Sequence, residues 1–317
     1  RRRHTRLLTV TGVQTCALPI SVQGNAPGEP VLVSTDVMKV TLDSRGGDVA
    51  KVELVGFPDD QDASHPVVLM DRSASRTYLA QTGFIGQAGG AALPNHFTLL
   101  SAQAGERSLK DGENELKVVF TSPEVNGAQW VKTLTFHRGQ YTIDVKDELR
   151  NSGAAPLNAQ VYLQLQRDGT PPPGGSSFYS TFTGPAIYSD EKKFQKVEFK
   201  DIEKRQAGDT IGHVTKSNDG WVAMVQHYFT SAWLVNTPGP REFVTKKDGN
   251  NLYSVAMVQP LAAVAPGASV AHDAVLYVGP QEENKLAALA PGLELVKRSE
   301  EHTSELQSQS TISYAVF

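Results

Sequence analysis

The chain has 317 residues, 39% of them hydrophobic and 20% charged, with a formal net charge of −4. That balance lacks the basic footprint of a nucleic-acid binder, and no run of about 18 apolar residues offers a membrane-spanning helix. The length suits one large domain or two small ones, with ample material for a hydrophobic core.

The termini read unlike the interior. Residues 298–308 correspond to the translation of a common sequencing-library adapter, and residues 10–20 to the translation of its complementary strand. Residues 1–20 and 298–317 are therefore expected to be read-through artefact and are excluded from the fold. The basic tract at Arg1–Arg6 followed by Leu7 and Leu8, which imitates a secretory leader, falls inside the excluded part. So does Cys16, the only cysteine, which leaves the genuine segment without a disulfide, a catalytic thiol or a thiolate zinc site.

Residues 21–30 are rich in Gly and Pro and read as a linker. A strand-like run over 31–43 is followed by Gly46-Gly47 and a second alternating run over 49–55. Val40 and Leu42 share one face, Ala50, Val52 and Leu54 another, and the glycines supply the positive φ angles of a tight hairpin. Residues 57–96, punctuated by Pro58, Pro66, Gly83, Gly86, Gly89, Gly90 and Pro94, read as surface loops with short strands near 67–70 and 78–81. Strands resume at 115–121, with Leu116, Val118 and Phe120 on one face. A second hairpin joins 130–136 to 141–149, and residues 157–166 alternate strictly from Leu157 to Leu165. Further strands are expected at 178–188 and 195–200. The run 220–233, from Gly220 to Trp233, reads as one strand buried on both faces at the centre of a sandwich. Residues 236–251 read as a polar loop, 252–258 and 268–278 as strands. Residues 280–290 form the only well-signalled helix, with Pro280 near its start, acids in the first turn, then Leu286 and Leu289. The expectation is an all-β fold, a large antiparallel sandwich with one short C-terminal α-helix.

Chemistry is sparse. His65, His96, His137, His213, His227 and His272 stand at no ligand spacing, so no metal site is expected. Asp144, Asp147 and Glu148 read as a solvated carboxylate face balanced by Lys146 and Arg150. No G-x-S-x-G nucleophile elbow occurs, and the glycines at 86–90 and 174–175 precede no helix that would cradle a phosphate. Trp130, Trp221 and Trp233 read as core. No catalytic residue and no cofactor are expected. The segment 168–177 is different: Asp168, Gly169, Thr170, Pro171, Pro172, Pro173 and Gly174 open a long loop that cannot continue a ladder, since proline has no N–H to donate. Loops of this length more often serve a function than short ones.

Six blocks carry a resemblance: Thr35-Asp-Val, Ser44-Arg-Gly-Gly-Asp-Val, Gly112-Glu-Asn-Glu-Leu, Phe136-His-Arg-Gly-Gln-Tyr, Gly220-Trp-Val-Ala-Met with Tyr228-Phe and Ala232-Trp, and Val278-Gly-Pro. In this order they resemble the large periplasmic domain of the YidC/Oxa1/Alb3 family of membrane protein insertases, over residues 31–297. The resemblance implies a β-supersandwich similar to galactose mutarotases, with a terminal helix leading toward the membrane. It implies a bacterial inner-membrane protein whose domain here faces the periplasm and which assists membrane-protein insertion and folding, alone or with the Sec translocon. In that family the insertion work belongs to a membrane-spanning core, expected to begin where this chain's genuine segment stops, at Lys297. The implied partners are Sec translocon accessory subunits and nascent membrane proteins, met through the full-length protein, with the membrane reached through helices outside this chain. Exposed sheet edges and the loop beginning at Asp168 are the expected contact points. The alternative is a mutarotase-like sugar-binding protein or aldose epimerase. It needs a His and Glu acid–base pair across a cleft, for which His137 with Glu148, or His227 with Glu198, are the candidates.

Overall fold

The computed structural model describes residues 28–172, 182–206 and 208–297. The first strands are β1 (Pro30–Ser34), β2 (Met38–Asp43), β3 (Asp48–Pro58), β4 (Pro66–Arg72), β5 (Thr77–Ala88) and the two-residue β6 (Ala91–Ala92) and β7 (Ser101–Ala102). There follow β8 (Glu115–Thr121), β9 (Ala128–His137), β10 (Thr142–Asn151), β11 (Ala159–Asp168), β12 (Gly184–Ser189), β13 (Lys193–Lys196) and the helix α1 (Phe199–Lys204). The chain continues through β14 (Lys216–Ser217), β15 (Trp221–Gln226), β16 (Phe229–Leu234), β17 (Arg241–Gly249), β18 (Leu252–Pro260), β19 (Ser269–Pro280) and the helix α2 (Glu283–Leu289). These strands make two antiparallel sheets. The ten-stranded one runs β1-β2-β3-β4-β5-β11-β18-β17-β14 with β6 beside β5, and the nine-stranded one runs β13-β12-β15-β16-β19-β10-β9-β8-β7.

The expected sandwich is therefore present, and its core forms where the inward rows of the two sheets meet. Val40, Leu42, Val52, Leu54, Val161, Leu163 and Leu165 of one sheet and Leu116, Val118, Phe120, Ile143, Val145 and Leu276 of the other join a single buried cluster. The β2–β3 hairpin turns as its sequence requires, with Gly46 and Gly47 at φ of 71° and 58°. Trp130, Trp221 and Trp233 are all buried, as expected.

Polar ties also cross between the sheets. Tyr78 OH lies 2.6 Å from Ser231 Oγ. Trp233 Nε1 donates to the Gln164 carbonyl at 2.9 Å, Thr82 Oγ1 to Asp147 at 3.0 Å, and Arg167 Nη1 to Gln226 at 2.6 Å. Each satisfies a group that would be costly to bury alone, and each works at only one relative registry of the sheets.

Five expectations need correction. The run from Gly220 to Trp233 is not one strand but the hairpin β15–β16, reversing at His227 and Tyr228. Nothing in His-Tyr signals a turn. The reversal is held from a distance by Gln281, whose side chain donates to the Gln226 and Phe229 carbonyls at 3.3 and 3.1 Å and whose N–H reaches the Tyr228 carbonyl at 2.9 Å. Burial on both faces does hold, because α2 covers the outer side.

The irregular stretch 57–96 contains the 12-residue strand β5, paired with β11 along most of its length. Gly83 and Gly86 do not break it. They are there for clearance, since a Cβ on Gly83 would stand 2.5 Å from the Tyr162 hydroxyl and one on Gly86 2.7 Å from the Asn158 carbonyl. The polar loop expected at 236–251 is mostly β17. Its inward residues Arg241, Phe243 and Thr245 include only one large hydrophobe, so the alternation is invisible in composition. The strand expected at 195–200 gives way after Lys196 to α1, whose Ile202 is buried; α1 is a second helix besides α2. Finally, the run 31–43 is two strands. Thr35 Oγ1 accepts from the Met38 and Val37 amides at 3.0 and 3.3 Å and folds the chain back.

Candidate functional site

The loop expected to carry contacts leaves the sheet at the end of β11. Asp168 anchors its base, accepting from the Thr77 amide at 2.6 Å and from the Thr170 amide at 2.9 Å. The Gly169 amide donates to the Asn251 carbonyl at 3.2 Å. Arg167, itself buried, donates to the Thr170 carbonyl at 3.3 Å. Asp168, Gly169, Thr170, Pro171 and Pro172 are thus placed by the β5 and β17–β18 ends, with Thr170 and Pro171 exposed. Pro173 and Gly174, and the start of the strand expected at 178–188, lie outside the described residues.

The proposed acid–base pairs do not assemble. His137 Nε2 lies 2.8 Å from Asp144 Oδ2 on the outer surface, while Glu148 pairs with Arg150 at 2.7 Å. Glu198 pairs with Lys200 at 2.6 Å, and the His227 ring packs on Tyr228. Among the described residues, no group of three or more His, Cys, Asp or Glu side chains is arranged to hold a metal ion.

The carboxylate reading is half right. Asp144 and Glu148 face solvent as expected, but Asp147 shares the inward face with Val145 and Leu149 and is fully buried. It accepts from Trp130 Nε1 at 2.9 Å as well as from Thr82. A buried aspartate in an otherwise apolar row has no signal in a single sequence, because alternate polar residues on a strand ordinarily mark the wet face.

Asp147 belongs to a buried charged cluster that sequence reasoning missed. Lys132 of β9 is buried and donates to the Gly46 carbonyl in the β2–β3 turn at 3.0 Å, bridging the sheets. Burial pushes its ammonium below the usual lysine range, opposed by Asp147 and Asp48. Asp48, also buried, accepts from Gln81 Nε2 at 2.7 Å and from Arg72 at 3.4 Å. Desolvation drives its carboxyl up to about 7 despite Lys132, Gln81 and Arg72. Arg72 also bonds Asp43. Beside them His96 bonds the Tyr162 hydroxyl, and burial lowers its imidazole to about 3. The cluster ties hairpin, sheet and loop together.

With the geometry in hand, relatives decide the assignment. The YidC periplasmic domain model matches residues 30–297. The chain belongs to the YidC periplasmic domain family. A protein of Janthinobacterium sp. (strain Marseille), named membrane protein insertase YidC, is 48% identical over 269 residues, which cover 85% of this chain and 46% of that one. The protein of the same name from Bordetella pertussis is 44% identical over 271 residues, 86% of this chain and 47% of that one. The chain thus spans about half the length of the curated YidC relatives it matches. Among solved structures, a galactose mutarotase-like protein from Lactobacillus casei aligns at TM-score 0.46 with 8% identity, over 79% of this chain and 100% of that one. A galactose mutarotase related enzyme from Lactobacillus acidophilus aligns at 0.48 with 9% identity, over 79% and 97%.

Proposed function

We propose that this chain is the periplasmic module of a bacterial membrane protein insertase, held at the inner membrane by parts of the protein outside this chain. It acts through contact rather than catalysis, meeting nascent membrane proteins and accessory subunits of the Sec translocon. The family match over 30–297 carries this reading. The separation of His137 from Glu148, each paired elsewhere, supports the non-enzymatic part. The test is a domain exchange: residues 30–297 replace the equivalent domain of an insertase in a strain depleted of its own. Restored growth and insertion of reporter membrane proteins are expected; a correctly folded, membrane-located chimaera that fails to restore either would overturn the proposal.

The loop opened by Asp168, Gly169, Thr170, Pro171 and Pro172, continuing through Pro173 and Gly174, is proposed as one contact. Replacing 170–174 with a Gly-Ser stretch of equal length should weaken co-purification of Sec components, and unchanged recovery removes the loop from the proposal. Residues 1–20 and 298–317 are proposed to be adapter-derived. Native genomic DNA that reads through them in frame would show otherwise.

A further inference from the structure

The contact-module reading leaves open which sheet edge receives a partner, and the backbone hydrogen bonds answer it. Four strands stand at the ends of the two sheets: β1, β14, β13 and β7. β14 and β7 have two residues each. β13 carries Lys193 and Lys196, with Lys193 at a φ of 56° that breaks the strand's regular edge. Short length and lysines are the usual protections of an edge. β1, with the sequence Pro-Val-Leu-Val-Ser, has no charged residue.

The direction of each β1 backbone group follows from its neighbours. The Ser34 N–H donates to the Arg107 carbonyl and the Ser34 carbonyl accepts from the Leu109 amide, so Ser34 faces away from β2. Thr35 bonds Met38 and the Glu29 carbonyl accepts from the Ser44 amide, so the odd-numbered residues face β2. In an antiparallel pair these orientations alternate. The N–H and C=O of Leu32 and the C=O of Pro30 therefore point outward. No hydrogen bond to any of them is found from a described residue outside the sheet. Leu32 is 68% exposed, more than any other large hydrophobic residue among those described. Val33, beside it, is buried in the core, which keeps the strand rigid.

We propose that the outer edge of β1 at Pro30–Leu32 is a strand-addition site for an extended segment of a partner polypeptide, with an apolar side chain placed opposite Leu32. The complement of one outward N–H flanked by two outward carbonyls is another backbone in β conformation. The bridge from Ser34 to 107–109 closes the far end, so the added strand is short and its binding weak and reversible. That suits a client handed onward and not a permanent subunit. The proposal rests on the contact-module reading but is tested apart from it.

The test uses the full 317-residue chain, labelled with 15N and titrated with a capped pentapeptide of alternating threonine and valine. Expected are amide shifts concentrated at 31–33 and at Thr41, which opposes Leu32 on β2, and at least tenfold slower hydrogen exchange of the Leu32 amide at saturation. The same peptide N-methylated on the face meeting the edge should produce no shifts. Leu32→Lys, at an exposed position that leaves the core intact, should weaken binding at least tenfold. Shifts that persist with the methylated peptide, that map to β13 or α2, or that are absent at millimolar peptide would overturn the proposal. So would sedimentation of the free chain as a dimer that Leu32→Lys returns to monomer. Because the domain exchange is scored in cells, a negative peptide titration leaves the insertase reading standing.

Discussion

Two regions of this sandwich are built on opposite physics. Around the β2–β3 turn, the charged groups of Asp48, Lys132, Asp147 and Arg72 are packed between and beside the sheets. On the outer face of β15 and β16, α2 and the segment after it lie on an apolar floor of Trp221, Tyr188, Ala223, Leu234 and Tyr277, with Leu286, Leu293 and Val296 set into it. There Tyr188 stacks on Trp221 at 5.5 Å. Gly220 and Gly292, at φ of 100° and 73°, pass so close to Tyr188 that a Cβ on either would overlap it. Both regions are tightly packed around glycines, but the first holds buried groups that bind or release protons near neutral pH and the second is held by apolar contact.

The largest expected effect lies in the apolar region. Gly220→Val combines a disfavoured φ with a Cβ that would sit 1.9 Å from the Tyr188 carbonyl. Backbone strain and overpacking together should cost about 3–5 kcal/mol, read as a lowered midpoint in urea unfolding. Wild-type stability would mean that the close approach of Gly220 and Tyr188 is not as drawn.

Next comes Lys132→Met. It removes the cation that donates to the Gly46 carbonyl in the β2–β3 turn and leaves the buried aspartates with less compensation, which typically costs about 3–5 kcal/mol. Because Lys132 helps hold down the Asp48 carboxyl, the loss should be greater at pH 8 than at pH 6. A loss independent of pH would show that Lys132 acts through its bond to the Gly46 carbonyl and not through the Asp48 carboxylate.

The pH profile sharpens the contrast further. Asp48 has a folded pKa raised to about 7 from 3.8, so the folded state holds its proton more tightly. Its stabilising contribution is complete below about pH 4 and declines as pH rises to 7. His96 is the reverse: its folded pKa falls to about 3 from 6.5, so its contribution is complete above about pH 6.5 and declines on acidification. Each slope approaches about 1.4 kcal/mol per pH unit, and between pH 4 and 6.5 they oppose. The two contributions therefore offset each other there, and His213 and His272, whose imidazoles burial also lowers, add a rise of stability with pH. Relative to wild type, Asp48→Asn should steepen that rise and His96→Gln should flatten it. Identical profiles for all three proteins in denaturant titrations would sink the assignment.

The smallest effect is Trp221→Phe. It keeps most of the aromatic surface and loses the 2.9 Å bond from Nε1 to the Pro291 carbonyl, for about 1 kcal/mol. Hydrogen exchange should quicken selectively in 283–297 and leave the β2–β3 turn unchanged.

Local pattern was enough for much of this fold. Strand β8 was legible to the residue from Leu116, Val118 and Phe120, and the β2–β3 hairpin from its two glycines, because alternation and positive φ are decided within a few residues. The all-β class, the buried tryptophans, the terminal helix and the family follow from the chain alone. What tertiary structure decided lies where a contact distant in sequence overrides the local signal. Gln281 makes a turn of His227-Tyr228, and Tyr162 explains a glycine inside β5. Arg241 occupies an inward position of β17 because it donates to the Gly220, Thr237 and Gly239 carbonyls. The candidate contacts divide in the same way. The loop at Asp168 announces itself by prolines that cannot join a ladder, whereas the open edge at Leu32 depends on which way its amide points, and that is set by Ser44, Arg107 and Leu109. Asp147 and Lys132 show the limit most plainly: alternation tells which residues share a face, but only the opposing sheet determines whether that face is wet.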